Sequence, residues 1–279
     1  MRRPSAASVL VALLVVLAGC RQSEPGALSG RAEATATEER TVALTGRTLV
    51  LDGFAGDVRV ETDAAATDAR VRLVRRALGA TQASARERLA RVTVETGGDG
   101  ELYQIVWRAN LPGGAMDGAA GLSADAVATV PPGTAVVVRT LAGGVGVDGP
   151  LGDLDVGIGA GTVVVGRAAS RRLRIDVRAG DVTVNAARVP AGAEWTVETA
   201  AGDMDLALPP GAALDLDAST GAGALVDRGL GARVPAGATA LQTRLGTGGA
   251  RVRVHTGAGT VTLGRATDID GTETGTIDP

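Results

Sequence analysis

Over much of the chain, apolar side chains fall on every second position in short runs: Val136 and Val138, Ile175 and Val177, Val182 and Val184, Leu214 and Leu216, Val252 and Val254. Polar or small residues fill the positions between them, and a period of two is what a β-strand with one buried face requires. Two kinds of turn separate the runs. One is centred on glycine and often continues with aspartate, as in Phe54-Ala-Gly-Asp-Val-Arg-Val60, Arg178-Ala-Gly-Asp-Val-Thr-Val184 and Ala200-Ala-Gly-Asp-Met-Asp-Leu206. Variants begin at Leu141, Leu151, Gly159 and Gly257. Glycine there permits positive φ, and the aspartate can hydrogen-bond turn backbone. The other turn is Pro-x-Gly, beginning at Pro131, Pro190, Pro209 and Pro235. With Gly161, Gly180, Gly202 and Gly223 as markers the steps are 19, 22 and 21 residues. A period near 20 signals stacked repeats, each unit being turn, strand, turn, strand.

Residues 41–129 break this rhythm. Strand-like pieces are expected at 48–51, 58–61, 70–74, 91–95 and 102–107. Between them, 81–90 reads as one short helix with Thr81 as its cap and Arg86, Glu87 and Arg88 exposed, and the Gly- and Ala-rich stretch 111–123 as a loop. The expected fold is therefore all-β, a β-solenoid or parallel β-helix-like repeat domain over 41–265 with one short helix inserted near its N-terminal part.

The two ends are of another kind. Arg2 and Arg3 precede an apolar run over 9–18, which closes on Leu17-Ala-Gly-Cys20, and Cys20 is the sole cysteine of the 279 residues. Charged start, apolar middle and small residues before a cysteine resemble a bacterial lipoprotein signal peptide with its lipobox, in which that cysteine accepts diacylglycerol. The run is short for a membrane span, which needs about 20 apolar residues. The reading is thus a signal over 1–19, a mature chain starting at a lipidated Cys20, and a flexible tether over 20–40. A tether of that length has an r.m.s. reach on the order of 25 Å. Residues 266–279 hold Asp268, Asp270, Glu273 and Asp278 without arginine and read as a disordered acidic tail.

Composition narrows the chemistry. All 28 basic residues are arginine, so a Walker-type phosphate loop, a Schiff-base lysine and a Ser-x-x-Lys nucleophile are excluded. Without Arg2 and Arg3 the mature chain carries 26 arginines against 31 acidic residues, near −5, which argues against nucleic acid as a partner. With Cys20 committed to lipid no disulfide can form. His255, the single histidine, lies on the arginine face of its strand, opposite Val252 and Val254. One histidine rules out a His-rich metal site, and no Gly-x-Ser-x-Gly elbow accompanies it. Gly144-Val-Gly-Val-Asp-Gly149 has the letters of a dinucleotide loop but is followed by Pro150 and a strand-like run where a helix is needed. The calcium nonapeptide pattern that overlaps it occurs once and is broken by Pro150. No cofactor or metal is expected. The remaining catalytic candidates are carboxylates two apart on one strand face: Asp153/Asp155, Asp203/Asp205 and Asp215/Asp217.

The Val-Pro-x-Gly strand leading into a Gly-Asp-Val turn, with the early strand-helix-strand insertion ending in Val130-Pro-Pro-Gly133, resembles a bacterial family of unknown function labelled putative adhesin, itself similar to auto-transporter-like adhesin heads. The likeness runs over about 41–264. It implies a coiled all-β fold on the cell envelope and carries over no catalytic residue. The functional expectation is a lipid-anchored envelope protein acting as a binding, adhesion or structural surface, not an enzyme. Its partners are the membrane, through the N-terminal lipid, and an unidentified envelope protein or glycan. Arg21 beside the lipidated residue points to the outer membrane. The competing expectation is a polysaccharide-active β-helix enzyme using one of the Asp pairs.

Overall fold

The computed structural model describes residues 31–111 and 120–266. The expected signal peptide, Cys20, the first half of the expected tether and nearly all of the expected acidic tail lie outside them. The described chain is all-β, with two ten-stranded sheets and one short helix.

The regular region consists of strand pairs, one strand in each sheet, joined by a turn at a glycine in every pair but the one that spans residues 102–130. These tiers are β2 (Thr48–Ala55) with β3 (Val58–Thr62), β6 (Leu102–Ala109) with β7 (Leu122–Val130), β8 (Val136–Ala142) with β9 (Val145–Asp148), and β10 (Asp153–Ala160) with β11 (Val163–Ala168). They continue as β12 (Arg172–Ala179) with β13 (Val182–Ala186), β14 (Glu194–Ala201) with β15 (Met204–Leu208), β16 (Leu214–Ala222) with β17 (Leu225–Arg228), and β19 (Ala250–Ala258) with β20 (Val261–Arg265). Neighbouring tiers pair in parallel in both sheets. Antiparallel strands close the stack: β1 (Ala32–Val42) and β4 (Ala69–Gly79) in the first sheet, β5 (Val92–Gly98) and β18 (Ala240–Leu245) in the second. The helix α1 (Gln82–Leu89) packs on β1 and β4. Thr81 caps it reciprocally with Ser84, as the sequence suggests, although Arg88 is half-buried and donates to the Ala120 carbonyl.

The alternating apolar residues become ladders between the sheets. Leu49, Val136, Leu154, Leu173, Trp195 and Val252 stack in register in the second sheet, and Val58, Val145, Val163, Val182, Met204 and Val261 in the first. All twelve are buried. At the edge where the sheets meet, glycines of successive tiers sit under one another, beginning with Gly56, which itself lies on the Ala124 carbonyl. A Cβ on Gly180 would lie 1.7 Å from the Gly161 carbonyl oxygen, and one on Gly202 2.0 Å from that of Gly180. Buried threonines of the next tier hold those carbonyls: Thr199 Oγ1 donates to Gly180 at 3.1 Å, Thr256 to Gly202 at 2.9 Å and Thr220 to Gly259 at 2.9 Å. The opposite edge is made by the Pro-x-Gly turns, where the residue after glycine donates back to the proline carbonyl at Pro131, Pro190, Pro209 and Pro235.

Four sequence expectations need correction. The order of tiers is not the order of the chain: β2/β3 lies between β6/β7 and β8/β9, and β19/β20 lies between β14/β15 and β16/β17. Gly223 therefore stacks on Gly259, not on Gly202. The stretch beginning at Leu151 belongs to the Pro-x-Gly edge, since Gly152 approaches the Gly133 carbonyl. The strand β1 occupies most of 31–40, which composition assigned to the tether, because it turns small residues and the ion-paired Glu38 and Arg40 inward instead of large apolar ones. Leu122 and Ser123 open β7 instead of ending a loop, since Ala124, Ala126 and Ala128 form its buried face and alanine gives a faint period. Residues 112–119 of that expected loop lie outside the described residues.

Candidate functional site: the charged face of the second sheet

Because interior positions of β10, β12, β14, β19 and β16 take the apolar ladder, every outward position on these strands is free for polar side chains. The registers carry those side chains into rows across the sheet. One row reads Asp153, Arg172, Glu194, Arg251, Asp215, Arg244 over six adjacent strands, alternating in sign at every step. Opposite charges on neighbouring strands stabilise each other by a few tenths of a kcal/mol up to about 1 kcal/mol. Arg172 lies 2.9 Å from Asp153 and Arg244 2.6 Å from Asp215. The guanidinium of Arg244 holds the Asp215 carboxyl below the usual carboxylate range, and Asp215 in turn raises Arg244. The next row reads Asp155, Arg174, Thr196, Arg253, Asp217, Gln242, and the one after it contains Asp176, Glu198, His255 and Ser219. A shallow depression of about 670 Å³ lies over this face, between Glu194, Thr196, Asp217, Gln242 and Arg253.

The other sheet presents a different outer surface. Gly146, Val164 and Thr183 sit side by side in one row, and the charges of this sheet gather toward the β1–β4–β7–β3 end as the ion pairs Arg59–Glu61, Arg72–Glu39 and Arg76–Asp125. Arg167 binds Asp148 there, with 2.8 Å between Nε and Oδ1, and holds its carboxyl below the ordinary range.

The three carboxylate pairs separate by position. Asp153 and Asp155 project from β10 and bind Arg172 and Arg139; Asp215 and Asp217 project from β16 and bind Arg244 and, at 3.7 Å, Arg253. Asp203 is a turn residue whose carboxylate accepts the Thr260 N–H of the next tier at 2.7 Å, while Asp205 stands on the outer face of the first sheet. The turn aspartates do bond backbone, but across tiers: Asp57 accepts Gly144 N–H at 2.7 Å and Asp181 accepts Asp203 N–H at 2.9 Å.

His255 is exposed among arginines as its strand phase requires, and its Nδ1 lies 2.9 Å from Ser219 Oγ. Ser219 is 36 residues away along the chain, and only the β16–β19 pairing brings it there. The two sit on a flat face whose backbone N–H groups are consumed by ladders, parallel on both sides of β19 and one parallel and one antiparallel beside β16, which leaves no donors for an oxyanion. Trp195, the one aromatic of the repeat region, is buried with its Nε1 donating to the Ser170 carbonyl at 2.9 Å, so it offers no platform for a sugar ring. Among the described residues no three His, Cys, Asp or Glu side chains gather closely enough to hold a metal ion, and no helix is long and apolar enough to cross a membrane.

No family model matches the chain, and no curated protein matches it in sequence. Among solved structures it is similar to a "putative cell adhesion protein" from Clostridium sporogenes, with a TM-score of 0.50 and 12% identity over 83% of this chain and 100% of that one. A "putative adhesin" from Bacteroides fragilis aligns with a TM-score of 0.35 and 10% identity over 82% of this chain and 97% of that one. A further "putative adhesin", from Parabacteroides merdae, gives 0.27 and 11% over 82% and 95%. At 12% identity, what this chain shares with the Clostridium sporogenes protein is the fold.

Proposed function

We propose that this chain is a lipid-anchored cell-envelope protein whose tiers form a two-sheeted β-solenoid, and that the solenoid serves as a binding or adhesion surface without catalysis. The observation that carries the reading is how the carboxylates are used. Asp153, Asp155, Asp215 and Asp217 each face an arginine and Asp203 holds a backbone N–H. A glycosidase needs instead one acid kept protonated and one base left free, flanking a cleft at a set separation. Parallel tiers held in constant register build a long flat face, the form in which repeat proteins spread binding over many strands. An envelope protein or glycan is the partner such a face would meet.

The lipid anchor rests on the run over 9–18 and the Leu-Ala-Gly-Cys20 motif. In Cys20→Ser the thiol that accepts the lipid is lost, so the protein should leave the membrane pellet for the soluble fraction after a high-salt wash. Continued pelleting of Cys20→Ser would exclude lipid anchoring through this residue. Fractionation of the parent strain should place the protein with the outer membrane.

A further inference from the structure

The alternating row on the second sheet is complementary to itself. It has six members, and reversing an even alternating row inverts every sign. A two-fold axis parallel to the strands and lying between β14 and β19 sets β14 against β19 of a second copy, β12 against β16 and β10 against β18. Glu194 then faces Arg251 of the other copy, Arg172 faces Asp215, and Asp153 faces Arg244. The next row obeys the same operation: Arg174 meets Asp217, and Arg253 meets Thr196. In the third, Glu198 meets His255, and Asp176 meets Ser219. No like charges are opposed in any of the three. An axis running along the row instead would set Arg251 on Arg251 and Asp215 on Asp215.

We infer that the outer face of the second sheet is a homodimer surface, two copies packing face to face about that axis. Charge complementarity selects this occupant. A polymer of one sign would meet repulsion at every second strand. A closed two-fold interface also needs one patch that answers itself, which is the property this face has. Six strands about 4.8 Å apart, over some five residues of about 3.3 Å each, give on the order of 500 Å² per copy. That lies at the low end of specific interfaces, so the dimer is weak and salt-sensitive. Packed sheets stay aligned only within about 30°, so the pairs beside the axis, Glu194 with Arg251, keep the best register.

The inference does not depend on the lipid anchor. Its test uses two copies of the full-length chain with different affinity tags, co-expressed, with one tag captured and the other measured. The parent should co-purify with itself, and raising salt should weaken the pairing. Glu194→Arg paired with itself opposes two arginines twice over, and Arg251→Glu opposes two glutamates twice over. Each should lose co-purification by about tenfold. A Glu194→Arg copy mixed with an Arg251→Glu copy restores both contacts and should recover the parent level, which two misfolded chains could not do. If either variant melts well below the parent, Arg174→Asp with Asp217→Arg supplies a second swap one row away. A parent that does not pair with itself, single variants that pair as the parent does, or folded variants that fail to recover on mixing would each overturn the dimer.

Discussion

At the scale of the residue, two classes of positive-φ glycine do different work. Gly180 has φ +142° and no room, because the atom its Cβ would meet is a backbone oxygen that no rotamer can move. Gly192 has φ +70° and faces open space. Substituting alanine at Gly192 should cost only the left-handed conformation, about 1 kcal/mol. Gly180→Ala must in addition push neighbouring tiers apart or shift the turn, and should cost about 3 kcal/mol or more. Urea midpoints of the two variants measure the difference, and equal midpoints would contradict the glycine stack. The sequence marks both positions as turns needing glycine. It does not reveal that one of them lies against another glycine a whole tier away.

At the scale of the element, β1 shows how an edge strand holds with charges in the middle of its inward face, between the buried Ala34 and Val42. Glu38 lies between Arg75 Nη2 at 2.5 Å and Arg40 Nη2 at 3.0 Å, and Arg75 also reaches the Val92 carbonyl on the other sheet at 2.7 Å. The three side chains are largely covered, and the Nε atoms of both arginines are buried without a partner among the described residues. Inward charges also blunt an edge against pairing with foreign strands. Glu38→Gln leaves two covered guanidinium groups facing a neutral amide and should cost about 2 kcal/mol, with β1 loosening first. A thermal melt of that variant checks the cost, and proteolysis near residues 31–42 checks the local loosening. Composition at 31–40 has the look of tether because small residues and charges fill the inward face, and the ion pair that ties the strand to β4, Glu38 with Arg75, leaves no period in the sequence.

At the scale of the whole molecule, both ends of the stack are interlocked. The first tier in sequence, β2/β3, and the last, β19/β20, are each clasped between two others, and antiparallel strands lie beyond them. A sequential stack would fray from its terminal repeat. Here the last tier has a partner on both sides in both sheets, so its amides should exchange within about tenfold of those of β12/β13, and far more slowly than those of the edge strand β18. Hydrogen exchange resolved along the full chain measures this. Exchange of β19/β20 as fast as β18 would mean that the clasp does not hold.

The sequence by itself determined the strands of the regular tiers and which side of each faces inward, since period-two alternation and Pro-x-Gly turns are local properties of the backbone, but not β1 or β18, whose inward faces carry no such alternation of large apolar residues. It determined the helix near residues 81–90 with its Thr81 cap, and that His255 stands among arginines. A hydrophobic repeat counts distance along the chain, however, and adjacency in a sheet is settled by which ladders of side chains and backbone bonds fit together. Only the tertiary structure decided that β19 slips between β14 and β16, which places Arg251 between Glu194 and Asp215 and brings Ser219 to His255. The alternating row depends on that insertion. In chain order β14 would be followed by β16, putting Glu194 beside Asp215, two like charges where the folded protein interposes an arginine.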